Sequence, residues 1–175
     1  SVENCVRRVA AARRGIGPHV ELMIDAHASL ETPVAIQIAK AVEQYNIAWF
    51  EEPVSPDNHA GMAEVRRATT IPIASGEREF SRYGFKSMLE HKAIDIAQPD
   101  VARAGGLTEI RRIAALTQAH DIRLAPHAWG AGVLFAASIH TAMATIITFS
   151  VSEMKPSGTL LSPPTQAHFS SRLSM

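Results

Sequence analysis

The chain is poor in several things that would narrow its function at once. Among 175 residues there is one cysteine, Cys5, so an intramolecular disulfide and a zinc site built on a cysteine cluster are both excluded. That usage fits a reducing compartment, and a cytoplasmic location is expected. Net charge is lacking too: 17 basic residues balance 17 acidic ones, which gives no sign of a surface for nucleic acid or anionic membrane. No run approaches the ~18 apolar residues of a membrane span. The opening SVENCVRRVAAARRG is arginine-rich throughout, so neither an anchor nor an export signal is expected. Nucleic acid and membrane are therefore not expected partners, while small neutral or anionic ligands are.

What is present is a globular composition, 46% hydrophobic and 19% charged, long enough for one core. Short β-prone runs alternate with segments of helical period. HVELMIDA reads as a strand and TPVAIQIAKAVEQY as a helix, with Val34, Ile38, Ala41 and Tyr45 on one face. IAWFEE, IPIASGE, AIDIAQPD, RLAPHA and TIITFSVSE read as further strands. Helices are expected over GMAEVRRA, SRYGFKSMLEH, GGLTEIRRIAALTQAH and GVLFAASIHTAMA, the third with Ile110, Ile113, Ala114 and Thr117 in register. Six such beats predict an α/β fold with parallel strands and crossover helices.

Each expected strand ends on an ionisable residue. Asp25, Glu51, Glu77, Asp100, His127 and Glu153 follow one another at intervals of 26, 26, 23, 27 and 26 residues. In an open doubly wound sheet such residues would be strung along an edge, whereas in a (β/α) barrel they converge on one mouth, so the barrel is favoured. Residues 1–153 are expected to form this partial barrel. Residues 154–175, with five serines, three prolines and no periodic apolar face, are expected to be an irregular tail.

Three carboxylates on consecutive strand ends cannot all stay ionised without a counter-charge. Either Asp25, Glu51 and Glu77 are ordinary solvated acids or they hold a cation, and oxygen-only ligands suit a hard ion such as Mg²⁺, with Mn²⁺ as a substitute. Period-two alternation would send Glu52 away from the face that carries Glu51, in a structural role. His127 and Asp100 fall on adjacent strand ends, where the carboxylate could orient one ring nitrogen and leave the other to exchange a proton. A merely packed histidine is the alternative. His27, two residues past Asp25, is a second candidate proton carrier. The other histidines are expected at the surface. Arg78 could pair with a substrate carboxylate or with a neighbouring acid. Trp129 could wall the pocket, and Gly105-Gly106 is expected to be a tight turn rather than a phosphate cradle.

Taken together, IDAH, WFEEP, IASGE, QPD followed by AGG, and LAPH resemble the barrel motifs of the mandelate racemase branch of the enolase superfamily, over roughly residues 15–153. Asp25-x-His27 and GEREFSRYGFK are most similar to the galactonate dehydratase group of acid-sugar dehydratases. The resemblance implies that Asp25, Glu51 and Glu77 bind Mg²⁺, that His127 with Asp100 is the general base, and that His27 is the general acid. It also implies that Glu153 lies near the substrate carboxylate. The implied substrate is a small-molecule sugar acid, losing water to give a 2-keto-3-deoxy acid. A racemase or epimerase of the same superfamily is the competing enzymatic expectation, although the Lys-x-Lys base of racemases has no counterpart in the chain. The family's N-terminal capping domain and first barrel strands are likewise expected to be lacking, leaving a partial barrel of about six βα units. A truncated, non-catalytic metal-binding remnant is the third expectation, and open barrel edges would favour homo-oligomers.

Overall fold

The computed structural model describes residues 1–153, with the backbone alone over 145–153. Five parallel strands alternate with helices, distributed over two compact units. Among the described residues, one comprises Ser1–Ser75 with Glu90–Asp95, the other Gly76–Leu89 with 96–153.

In the first unit, α1 (Val2–Ile16) leads to β1 (Leu22–Asp25), α2 (Thr32–Val42), β2 (Ile47–Glu51), α3 (His59–Ala68) and β3 (Ile73–Ser75). The strands pair in parallel. After an irregularity at Leu22/Met23, Ile24 faces Phe50 and Asp25 faces Glu51, and on the other side Phe50 faces Ile73. Helix α2 carries Pro33 in its first turn, where a missing N–H costs no intrahelical bond. It buries Ala35, Ile38, Ala39 and Val42. The expected stripe through Val34 and Tyr45 is thus corrected: Val34 is exposed, and a 3₁₀ turn over Glu43–Tyr45 ends the α period before Tyr45. Phe50, Met62, Val65 and Ile73 complete the core, each such side chain contributing about 1.5–3 kcal/mol through burial.

Arg13 ties α1 to this core without any acid. Its guanidinium donates to the carbonyls of Tyr45 (2.9 Å), Gly17 (2.9 Å), Val20 (2.7 Å) and Asn46 (2.7 Å). Elsewhere in the unit, Arg66 donates twice to Asp95 Oδ1 (2.9 and 2.8 Å), whose Oδ2 accepts from the Ile73 N–H at 2.9 Å. This pair fixes the start of β3.

The second unit holds α4 (Ser81–Glu90), β4 (Ile96–Ala97), α5 (Val101–Ala104), α6 (Leu107–Gln118), β5 (Arg123–Leu124) and α7 (Gly132–Glu153). β4 and β5 pair in parallel, and an isolated bridge joins Asp100 to His127 beyond them. Helix α6 buries Ile110, Ile113 and Thr117, as its apolar spacing predicts. Gly105 and Gly106, at φ 112° and 86°, make the tight turn between α5 and α6. Gly76, at φ 133°, is needed for a second reason, because a Cβ there would sit 2.7 Å from the Phe85 ring. Glu109 is the electrostatic anchor of this unit. It accepts from the Arg82 backbone N–H (2.9 Å), from Arg82 Nη1 (2.9 and 2.8 Å) and from Arg112 Nη1 (2.9 Å). The Arg82 backbone N–H first, then Arg112 and the Arg82 charge, hold its carboxyl below the ordinary range.

One expected strand is absent. TIITFSVSE continues α7 to Glu153, so the described residues carry five strands rather than six. The alternation over Thr148–Ser152 is a strand pattern, but a run this short is overridden by the helix already begun at Gly132. No described helix is long and apolar enough to cross a membrane.

Two predictions follow from these anchors. Arg13→Lys, which keeps the charge but loses the planar fork, should lower stability by about 2 kcal/mol in urea denaturation. Because the folded-state pKa of Glu109 is depressed, its stabilisation is present above the usual carboxylate value of 4.5 and is lost as pH falls below it. Thermal melts from pH 7 to pH 3 should therefore show the gap between wild type and Glu109→Gln closing in acid.

Candidate active site

Within the first unit, the parallel register sets Asp25 at the end of β1 directly opposite Glu51 at the end of β2. In-register side chains on neighbouring strands share a face and start about 5 Å apart. Glu51 Oε2 accepts from Trp49 Nε1 at 3.1 Å. Past β1 the chain turns sharply, with His27 and Ala28 at φ 49° and 59°. The His27 backbone N–H donates to Asp25 Oδ1 at 2.6 Å, and His27 Nδ1 lies 3.9 Å from Asp25 Oδ2.

Glu52 departs from its expected structural role on the far face. It is 1% exposed, and its φ of 37° breaks the strand alternation from which that placement was drawn. Its carboxylate lies within 4.8 Å of a ring nitrogen of His27. Two backbone bonds hold it: Glu52 N–H to Ala74 O at 3.0 Å, and Ala28 N–H to Glu52 O at 2.8 Å.

Within the second unit, Asp100 is hydrogen-bonded to one ring nitrogen of His127, and Glu77 lies at ion-pair distance from the other. His127 Nδ1 meets Asp100 Oδ2 at 2.8 Å, and His127 Nε2 meets Glu77 Oε2 at 3.1 Å. Asp100 is 2% exposed, and its other oxygen caps α5 by accepting from Ala102 N–H (2.8 Å) and Arg103 N–H (3.1 Å). One carboxylate thus starts a helix and orients an imidazole. Glu77, itself buried, meets Arg78 Nε through Oε1 at 3.4 Å, so of the two readings of Arg78 the structure displays the pairing with a neighbouring acid. Trp129 is exposed. His59 and His91 stack edge-on at 5.8 Å in the first unit. The side chain of Glu153 and residues 154–175 lie outside the described residues.

The residues thus form two groups: Asp25, His27, Glu51 and Glu52 in one unit, and Glu77, Arg78, Asp100 and His127 in the other. Oxygen ligands for a hard cation are available in both. The second also holds an imidazole oriented by a buried carboxylate.

A family model described as enolase C-terminal domain-like matches residues 1–168. The chain belongs to that family, and its strands and helices are those of a partial (β/α) barrel in the mandelate racemase/muconate lactonizing branch of the enolase superfamily. It is 43% identical over 138 residues to D-galactarolactone cycloisomerase of Agrobacterium fabrum, covering 79% of this chain and 36% of that protein. It is 40% identical over 140 residues to D-galactonate dehydratase of Ralstonia pickettii, covering 80% and 37%. Among solved structures, 3,6-anhydro-D-galactonate cycloisomerase from Zobellia galactanivorans superposes with a TM-score of 0.79 at 42% identity, covering 83% of this chain and 41% of that one. L-Talarate dehydratase from Polaromonas sp., in complex with Mg and L-glucarate, gives 0.72 at 33% identity, covering 79% and 39%. The chain therefore spans little more than a third of the length of the curated relatives it matches.

The double use of Asp100 can be tested directly. Asp100→Ala should remove the α5 cap, costing about 1 kcal/mol in denaturant titration. Asp100→Asn retains an oxygen for the cap and should recover most of that loss.

Proposed function

We propose that the chain is the barrel part of a Mg²⁺-dependent acid-sugar dehydratase of the galactonate dehydratase type, a hydro-lyase working in the cytoplasm. The observation that carries the reading is the His127–Asp100 pair, an imidazole fixed through Nδ1 by a buried acid, which leaves Nε2, 3.1 Å from Glu77 Oε2, as the nitrogen to exchange a proton. In this reading Nε2 of His127 takes the proton α to the substrate carboxylate. His27 gives a proton to the departing β-hydroxyl, which leaves as water, and the remaining enol becomes the 2-keto-3-deoxy acid.

Asp25 and Glu51, facing each other in register, fit a divalent cation because two like charges so placed are relieved by a hard positive ion. Glu77 is the third proposed ligand, and Mn²⁺ is a proposed substitute. Bound Mg²⁺ supplies positive charge to the substrate carboxylate as the α-proton leaves. Arg78 and Glu153 are proposed to contact the substrate. Support for the substrate class comes from the sugar-acid names of the relatives and from the L-glucarate complex.

The 43% identity to a cycloisomerase favours a second reading on the same residues, in which the β-leaving group is a ring oxygen and no water is lost. Incubating soluble protein and Mg²⁺ with aldonic acids, aldaric acids and their lactones separates the two by product mass. A dehydrated product supports the first reading and an isomeric one the second.

Calorimetry tests the cation site independently. One Mg²⁺ should bind wild type, and binding should fall at least tenfold in both Asp25→Ala and Glu77→Gln. Equal binding by a folded wild type and both variants would remove Asp25 and Glu77 as ligands.

A further inference from the structure

We propose that the outward side of α7 is a self-association surface, covered in solution by the same helix of a second copy of this chain lying antiparallel to it. The inference is independent of the reaction proposed above.

Helix α7 carries its polarity the wrong way round for a surface helix. It packs on α5, α6 and β5, and its buried residues include Ser138 and Thr141. Both hydroxyls are satisfied inside the helix, by Leu134 O at 2.9 Å and Ala137 O at 2.9 Å. The outward side holds Val133 at 86% exposure, Phe135 at 60%, Ile139 at 47% and Met143 at 59%. Glycine, alanine and His140 make up the rest of that arc, and no Asp, Glu, Lys or Arg occurs from Ala128 to Ser152. A single exposed isoleucine is ordinary, whereas a continuous charge-free stripe marks a surface that meets another molecule. A convex helix side gives a small ligand no concavity to enter, so the occupant is a protein surface.

The order of the stripe makes that surface its own complement. Phe135, Ile139 and Met143 stand four residues apart and form one ridge, the kind that packs helix on helix. With a two-fold axis at Ile139, an antiparallel second copy sets Ile139 against Ile139. The same operation sets Phe135 of each copy against Met143 of the other, and a thioether beside an aromatic ring is a favourable contact. With no formal charge on either ridge, like meets like without repulsion.

The area is sufficient. With about 150–250 Å² in a large side chain, the exposed fractions and the small residues between them come to roughly 600 Å² per copy. Pairing hides about 1,200 Å², the lower end of the range for specific interfaces, which fits a reversible dimer rather than a permanent one.

The test is sedimentation velocity of the full chain from low micromolar to a few hundred micromolar. Wild type should pass from monomer to dimer across that range. Ile139→Lys and Ile139→Glu each place like charges face to face at the axis, so each should weaken association at least about 10²-fold and stay monomeric. Mixed in equal amounts, the two variants set an ammonium opposite a carboxylate and should recover the dimer. Circular dichroism reports whether each variant is folded. If one is not, Phe135→Glu mixed with Met143→Lys repeats the logic at the flanking contact. A wild type that stays monomeric throughout leaves the stripe to a different protein and overturns the proposal. A dimer that survives Ile139→Lys overturns it too, by placing the contact elsewhere, as does a folded mixture that stays monomeric, because the two copies then do not align at Ile139.

Discussion

Parallel pairing is the constraint on which the rest of this structure depends. A parallel strand cannot be followed by a hairpin; the chain must cross back, and here it does so through a helix each time. Within each unit, all strand ends of one polarity therefore lie along the same edge. Residues that follow strands become neighbours although they stand some 26 positions apart in sequence. Asp25 opposite Glu51 in one unit, and Asp100 beside His127 in the other, are both products of that rule. The ionisable residues repeat at the period of the supersecondary unit because each unit contributes one strand end.

That rule explains why so much was legible beforehand. The β–α alternation, the strand-end acids and the Asp100–His127 partnership all follow from periodicity and position, and the structure carries the pair at 2.8 Å. Failures occurred where periodicity stops being informative. TIITFSVSE alternates over Thr148–Ser152 as a strand would, yet α7, begun at Gly132, runs on through it. The buried stripe of α2 was misphased because a 3₁₀ turn intervened before Tyr45. Glu52 was sent to the far face by an alternation that its own left-handed backbone cancels. Arg13 and Glu109 left no local trace, since their partners are 33 and 27 residues away at the farthest.

The two groups of candidate site residues are built in contrasting ways. Around Asp100 and His127 the backbone is regular, and order comes from side-chain hydrogen bonds, with a helix cap and an imidazole sharing one carboxylate. Around His27 and Glu52 the order comes from strained backbone, and the visible bonds are mostly main-chain. A group that exchanges protons at a fixed place suits the first arrangement. The second keeps an exposed ring near a defined position without enclosing it.

The Arg13 clasp has a consequence for how the molecule meets changing conditions. Every acceptor it uses is a peptide carbonyl, a group that neither gains nor loses a proton in any ordinary buffer. Its grip on the first helix is therefore indifferent to acidity. It resembles a mechanical fastener more than an ion pair, and the amino-terminal segment stays moored under conditions that neutralise the carboxylates elsewhere in the chain.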